Sequence, residues 1–227
     1  MQSAAPFLDR VDAGRQLSER LGDRCGENPI VLALPKGGLP VAQEVARALN
    51  CPLDVIPVQK IGAPFEPEFA IGAVAEGGAV VWNEDALRWS GLDETRRKEL
   101  VEAATVKLQA SSAAYEGVRA PADLHGRTAI IVDDGLATGM TARAAILACR
   151  ERGAARVVLA APVCARESAA DLSREADELV CVLEPDYFSA VGRWYIDFSQ
   201  VEQDEAVGIL RANRTQAPAA QHPGGKA

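Results

Sequence analysis

The sequence has only two histidines, His125 and His222, and its five cysteines follow no C-x-x-C spacing. So few histidines leave little basis for a histidine-based metal site or a Ser-His-Asp triad. The cysteine number is odd and most of these residues fall in apolar stretches. We therefore expect buried free thiols in a reducing compartment, at Cys25, Cys51, Cys149, Cys164 and Cys181.

Long apolar runs and an excess of positive charge are also absent. No segment approaches the ~20 apolar residues that a membrane span needs, and the N-terminus lacks the pattern of a secretory signal. The net charge of −8 argues against nucleic acid as the main partner, because binding to a phosphate backbone needs a broad basic surface. We expect a cytoplasmic protein with neither a membrane nor a nucleic-acid partner.

Apolar strand-like runs alternate with helical patterns along most of the 227 residues, a length that fits one domain with a full-sized core. The patterns predict strands over 30–34, 53–58, 69–75, 79–82, 129–132, 156–163 and 178–183. They predict helices over 7–21, 40–49, 93–115 and 165–175, and a short one ending near Leu210. This alternation predicts an α/β fold with a doubly wound, mainly parallel sheet.

The predicted domain runs over residues 1–211, with an inserted segment at about 84–118 that contains the long helix. Residues 212–227 are rich in Pro, Ala, Gln and Gly without an apolar pattern, which predicts a disordered tail. The helix at 93–115 fits either a dimer face or a lid.

The most informative segment is AIIVDDGLATGMTA, residues 129–142. Four apolar residues predict a strand buried on both faces, and Asp133 and Asp134 follow at its end. Thr138, Gly139 and Thr141 then lead into an amphipathic helix. Ligands of open α/β sheets bind beyond the carboxyl ends of the strands, so these residues are candidates for a site.

The residue types of this segment suit a phosphorylated sugar. Two adjacent carboxylates can accept hydrogen bonds from vicinal hydroxyls or coordinate Mg²⁺. The turn at 137–141 can surround a phosphate with backbone amides at a helix N-terminus, and Gly139 allows close approach. The segment thus predicts a receptor for a 5-phosphorylated ribose. The alternative is an ordinary strand–turn–helix junction, with Asp as turn former and Thr as N-cap.

The same segment resembles the phosphoribosyl diphosphate (PRPP) binding motif of the type I phosphoribosyltransferases. Residues 68–78 (EFAIGAVAEGG) are similar to a sequence in a bacterial subgroup of uncharacterised members. The resemblance implies a type I fold with a small hood, and Mg²⁺-dependent transfer of phosphoribose from PRPP to a nitrogen acceptor, such as a nucleobase in nucleotide salvage. It also implies that PRPP binds to the motif residues Asp133, Asp134, Ala137, Thr138, Gly139, Met140 and Thr141.

Under this resemblance Asp133 and Asp134 are catalytic residues that also hold Mg²⁺, directly or through water. Lys36, Gly37 and Gly38 look like the short diphosphate loop of the family, and they do not form a Walker A sequence. The alternative is a plain glycine turn with a solvated lysine.

Residues 59–68 are predicted to form a loop, and the family has a mobile loop at this place that closes over the reacting centre. Lys60 matches its basic residue and is the third predicted catalytic residue. The alternative is a surface loop stiffened by prolines. Glu76 could bind metal or flank the Gly77–Gly78 turn, and the turn is slightly favoured.

The sequence does not identify the acceptor. Enzymes of the family that act on 6-oxopurines usually carry an acid directly before the T-G, where this sequence has Ala137. The family hood, which holds the acceptor, would be built here from residues 7–20 and 184–200. The expected partners are PRPP and an unidentified small acceptor, and the expected assembly is a homodimer. A non-catalytic PRPP or nucleotide-binding regulator is the alternative function, and an enzyme that hydrolyses or phosphorolyses nucleotides is a third.

Overall fold

The computed structural model of the chain describes residues 7–119 and 121–214. The strands are β1 (Pro29–Ala33), β2 (Leu53–Val55), β3 (Val58–Ala63), β4 (Glu66–Ala75), β5 (Val80–Trp82), β6 (Thr128–Val132), β7 (Arg156–Val163) and β8 (Glu178–Leu183). The helices are α1 (Arg10–Leu21), α2 (Gly38–Leu49), α3 (Glu84–Ser90), α4 (Glu94–Ser112), α5 (Met140–Glu151), α6 (Arg166–Leu172) and α7 (Gln203–Arg214).

The main sheet has five parallel strands in the order β2-β1-β6-β7-β8. The central strand β6 is buried at every position, which explains its continuous apolar run. Helices α1, α2 and α7 cover one face of the sheet, while α5 and α6 cover the other. The predicted doubly wound parallel α/β fold is therefore confirmed.

The core follows the alternation of side chains along each strand. Ile130 and Val132 point towards α1 and α2, whereas Ala129 and Ile131 point towards α5. All four side chains are fully buried, and each large one contributes about 1.5–3 kcal/mol of transfer free energy. This packing fixes β6, and with it the position of the acids that follow it.

A second sheet, β3-β4-β5, is antiparallel and packs against α4 and α5. The predicted loop over 59–68 is wrong, because these residues lie in the β3–β4 hairpin, whose two-residue turn lies between Ala63 and Glu66. The prolines are tolerated there since the pairing is irregular around Gly62, and Pro67 lies in that irregular part of β4. Lys60 is thus on a strand, with an exposed side chain.

Arg119 ties the two sheets together. Its guanidinium lies 3.4 Å from both carboxylate oxygens of Asp54, in the middle of β2, and pairs with Glu76 after β4. The exposed fraction of the Arg119 and Asp54 side chains is 8% and 6%. Glu76 does flank the Gly77–Gly78 turn, and its carboxylate forms an ion pair with Arg119.

The expectation of five free thiols is wrong in one respect. Cys164, just after β7, and Cys181, in β8, form a disulfide with Cα atoms 6.3 Å apart. The two strands are hydrogen-bonded neighbours, and the Cys164 amide donates to the Leu183 carbonyl at 3.0 Å. A separation of 17 residues in the sequence does not indicate a disulfide. The two cysteines meet because β7 and β8 are neighbours in the sheet. Cys25, Cys51 and Cys149 are free, as expected.

No helix within the described ranges is long and apolar enough to cross a membrane. Helix α7 continues to Arg214, three residues into the predicted tail. The rest of that segment, 215–227, lies outside the described residues.

Candidate functional site

The acid pair lies at the carboxyl edge of the main sheet. Asp133 and Asp134 follow β6 directly, and the Asp134 amide donates to an Asp133 carboxylate oxygen at 2.9 Å. Next to them the chain leaves β1, where the Leu34 amide donates to the Val132 carbonyl at 2.8 Å. Parallel pairing of β1 with β6 therefore places the Lys36–Gly38 turn beside the acids.

Gly37 and Gly38 allow this close approach. A Cβ atom on Gly37 would lie 2.3 Å from Oδ2 of Asp134, and one on Gly38 would lie 2.6 Å from the carbonyl oxygen of Val132. Neither residue has a positive φ, so the need for glycine comes from contact. The peptide bond between Pro35 and Lys36 is cis. The glycine turn and the acid pair thus form one continuous surface.

The two acids and Lys60 share an electrostatic environment. Burial raises the pKa of Asp133 well above its usual value, Asp134 raises it further, and Lys60 acts in the opposite direction. Burial also raises the pKa of Asp134, and the Arg10 guanidinium acts against that shift. The site therefore holds carboxylates whose ionised forms need positive charge or hydrogen-bond donors nearby.

Arg10 and Tyr195 reach the acid pair from outside the sheet. Arg10, the first residue of α1, donates through Nε to Oδ2 of Asp134 at 2.8 Å. The Tyr195 hydroxyl donates to the Asp134 carbonyl at 2.6 Å. The sequence analysis assigned the hood to residues 7–20 and 184–200 without naming a contact, and it missed both residues because no local spacing links them to Asp134.

The two segments predicted to form the hood pair with each other over a short stretch. The Phe7 amide donates to the Trp194 carbonyl and the Ile196 amide to the Phe7 carbonyl, both at 2.8 Å. The Tyr195 ring lies between Phe7 and Phe198, with centroids 5.3 and 4.9 Å away. We call this cluster, formed by residues 7–10 and 194–199, the hood. It is held both by backbone pairing and by ring packing.

The T-G-M-T turn lies where α5 begins. Gly139 precedes the helix with a φ of 71°, a conformation that favours glycine. No side chain of the described residues caps this helix end, so its first amides have no side-chain acceptor, and Thr138 beside them is exposed. The Met140 side chain is buried and can offer only its backbone to a ligand.

A cavity of about 640 Å³ opens beside this turn. Its walls come from the turn, from the start of α6 and from the segment after β8, including Thr138, Ser168, Tyr187 and Phe188. Ser168 also donates to the Ala137 carbonyl, which holds the turn against α6. The cavity has room for a flat ring next to the predicted phosphate turn.

The acids could hold a metal ion only together with a ligand. Among the described residues, no group of three or more His, Cys, Asp or Glu side chains is placed to hold one. Two adjacent carboxylates still match Mg²⁺, which is commonly bound by one or two carboxylates, substrate oxygens and water. The donor set therefore fits Mg²⁺ brought in with a phosphorylated substrate.

A doubly wound sheet with an acid pair, a glycine turn and a helix N-terminus at one edge defines a nucleotide- or sugar-phosphate-binding class of α/β protein. The family described as the phosphoribosyl transferase domain matches residues 8–197, and the chain belongs to this family.

Two relatives are similar over nearly the whole chain. A Mycobacterium tuberculosis protein, described as a candidate phosphoribosyl transferase, is 45% identical over 214 residues; these cover 94% of this chain and 48% of that protein. The chain thus spans about half the length of the curated relatives it matches. The crystal structure of TT1426 from Thermus thermophilus has a TM-score of 0.80 and 41% identity, and covers 92% of this chain and 99% of that one.

A third similarity shows the fold alone. A Neisseria gonorrhoeae protein, crystallised with bound ppGpp, has a TM-score of 0.51 and 13% identity, over 93% of this chain and 98% of that one.

Proposed function

We propose that this protein is a phosphoribosyltransferase that uses PRPP as donor. The observation that carries the proposal is the contact between the Gly37 backbone and the Asp134 carboxylate, because it brings a candidate diphosphate turn against a candidate ribose-binding acid pair. The positive charge of Lys60 acts to lower the pKa of Asp133. The 137–141 turn, the acid pair and the Lys36–Gly38 turn thus lie at one edge of the main sheet, with groups suited to the phosphate, the ribose and the diphosphate of PRPP.

In the proposed complex the 5-phosphate lies on the amides and hydroxyls of the 137–141 turn. The ribose hydroxyls donate hydrogen bonds to Asp133 and Asp134, which would stabilise the ionised forms that burial disfavours. The diphosphate lies on the Lys36–Gly38 turn, with Lys60 beside it. The three sites together orient the anomeric carbon.

The proposed reaction is a displacement at that carbon. The bond to the diphosphate oxygen breaks and its electron pair leaves with diphosphate, while the lone pair of an acceptor nitrogen forms the new bond on the opposite face. A proton carried by that nitrogen is released to water. Asp133 and Asp134 would hold Mg²⁺, directly or through water, and the ion would neutralise charge on the diphosphate. Lys36 and Lys60 stabilise the leaving group, so catalysis comes from positioning and electrostatics.

The cavity beside Thr138 is the proposed acceptor site. It adjoins the phosphate turn, and Tyr187 and Phe188 supply aromatic surface for a flat nitrogen heterocycle. Ala137 provides no acid to this site, which argues against a 6-oxopurine acceptor bound through such an acid. The acceptor therefore falls within the wider class of nitrogen bases.

Diphosphate release from PRPP, measured with Mg²⁺ and a panel of nucleobases and small amines, tests the proposal. Release with one acceptor only is the expected result. Tight PRPP binding with no release would instead support the regulatory alternative, and release without an acceptor would support hydrolysis. Absence of PRPP binding would overturn the proposal.

Site variants separate the donor site from general effects on the fold. Asp134→Asn and Thr138→Ala are expected to weaken PRPP binding by about tenfold or more, because each removes a direct ligand contact. Asp85→Asn and Thr95→Ala, on exposed positions of α3 and α4, are the matched controls and are expected to bind as the parent protein does. Unchanged binding in both site variants would contradict the assignment.

A further inference from the structure

Arg10 links the hood to the proposed donor site. Its Nε lies 2.8 Å from Oδ2 of Asp134, and its Nη1 donates to the Ser199 carbonyl at 2.7 Å. The guanidinium carbon lies 3.9 Å from the centre of the Phe198 ring. One side chain thus contacts the acid pair and two residues of the hood.

This ion pair differs from the surface pairs of the protein. The exposed fraction of the side chains is 11% for Arg10 and 14% for Asp134, whereas Arg15, five residues further along α1, is 66% exposed in its pair with Glu44. A charge pair shielded from water acts over a longer range than an exposed one. Arg10 therefore changes the charge that a ligand meets at Asp134.

The charge balance gives this contact a consequence for ligand binding. When both are ionised, Asp133 and Asp134 place two negative charges where a donor with several phosphate charges would bind. Arg10 neutralises one of them without covering the acid pair, since it holds only one oxygen of Asp134. Asp133 and the second oxygen of Asp134 stay free of Arg10.

We propose that Arg10 is a positioning residue of the donor site, which holds Oδ2 of Asp134 and supplies the positive charge that lets the acid pair accept an anionic donor. This inference rests on the proposed function. Mg²⁺ and Arg10 both supply positive charge at the acid pair. Without Arg10, PRPP binding therefore depends more strongly on Mg²⁺.

The test is calorimetric titration of the protein with PRPP at limiting and at saturating Mg²⁺. Arg10→Met is expected to weaken binding by about tenfold or more at limiting Mg²⁺, and far less at saturating Mg²⁺. Arg10→Lys, which keeps the charge, is expected to recover most of the affinity. Arg15→Met removes an arginine from the same helix and is expected to leave binding unchanged. Arg10→Gln keeps a hydrogen-bond donor but removes the charge, and it is expected to weaken PRPP binding as Arg10→Met does. It serves as the test variant if Arg10→Met does not fold.

Two results would overturn the inference. One is binding by Arg10→Met and Arg10→Gln that equals the parent protein's at limiting Mg²⁺. The other is an equal loss at both Mg²⁺ levels, which would mean that Arg10 only holds the hood in place. If the parent protein binds no PRPP even at saturating Mg²⁺, the proposed function fails and the inference with it. The parent titration therefore distinguishes the two failures.

Discussion

Gly37→Ala is the substitution for which the structure gives the sharpest expectation. Gly37 has a φ of −58° and a ψ of −37°, which alanine adopts without strain. The added Cβ would lie 2.3 Å from Oδ2 and 2.9 Å from Cγ of Asp134, so the carboxylate must move by roughly 1 Å. A free carboxylate would rotate away at little cost, but Oδ2 is held by Arg10 at 2.8 Å.

We expect Gly37→Ala to lower the free energy of unfolding by about 1–3 kcal/mol, the usual cost of overpacking. For a protein of this size that corresponds to a fall in Tm of about 2–4 °C for each kcal/mol. PRPP binding should be lost as well, because Asp134 is displaced. Urea denaturation followed by circular dichroism gives the free energy, and calorimetry gives the binding.

A double-mutant cycle shows whether the contact with Asp134 is the cause. In an Asp134→Ala background the Cβ meets no carboxylate, so Gly37→Ala should cost less than about 0.5 kcal/mol. An equal cost in both backgrounds would refute the reasoning. Gly208→Ala is the matched control, since it lies in α7 with no atom within 4 Å of the added Cβ. It is expected to stabilise the protein by roughly 0.5–1 kcal/mol.

Three further substitutions test other parts of the structure. The raised pKa of Asp133 means that its protonated form favours folding and its ionised form, present as pH rises through that pKa, disfavours it. Asp133→Asn is therefore expected to raise Tm at neutral pH without metal or donor, by an amount that shrinks as pH falls; a lower Tm at neutral pH would contradict this. Cys181→Ser opens the disulfide to Cys164 and should cost about 2–4 kcal/mol, with the bond in the parent protein checked by mass spectrometry under non-reducing conditions; equal stability of the two proteins would argue against it. Arg119→Met leaves the buried Asp54 and the half-buried Glu76 carboxylates without their cation and should cost about 3–5 kcal/mol in urea denaturation, and a loss below about 1 kcal/mol would show that the ion pair is not formed.

Much of the fold could be predicted from periodicity. The strand over 129–132 and the helix that begins near Thr141 appear where their apolar patterns indicated, because β6 and α5 are stabilised by their own buried faces. The hairpin over 59–68 was missed for a physical reason. Its prolines and glycine are loop signals in general, and they are compatible with strands only where the pairing is already irregular.

Some residues of the candidate site could also be predicted from the sequence, and others could not. The acid pair, the glycine turn and the T-G-M-T turn were visible because each follows a predictable strand or precedes a predictable helix. Arg10 and Tyr195 could not be predicted as site residues. They are 124 and 61 residues away from Asp134 in the sequence, and their contacts with it depend on how the hood packs against the sheet. The Cys164–Cys181 bond depends in turn on the pairing of β7 with β8.

The sequence by itself determined the class of fold and the segments that carry chemistry, because these depend on local pattern and on the general rule that parallel strands end at one edge. Only the tertiary structure decided which charges meet. It placed Gly37 against Asp134, Arg10 on the same carboxylate, and Lys60 on a strand of the second sheet. Such contacts join residues far apart in the chain, and the packing of whole elements, which no local pattern records, brings them together.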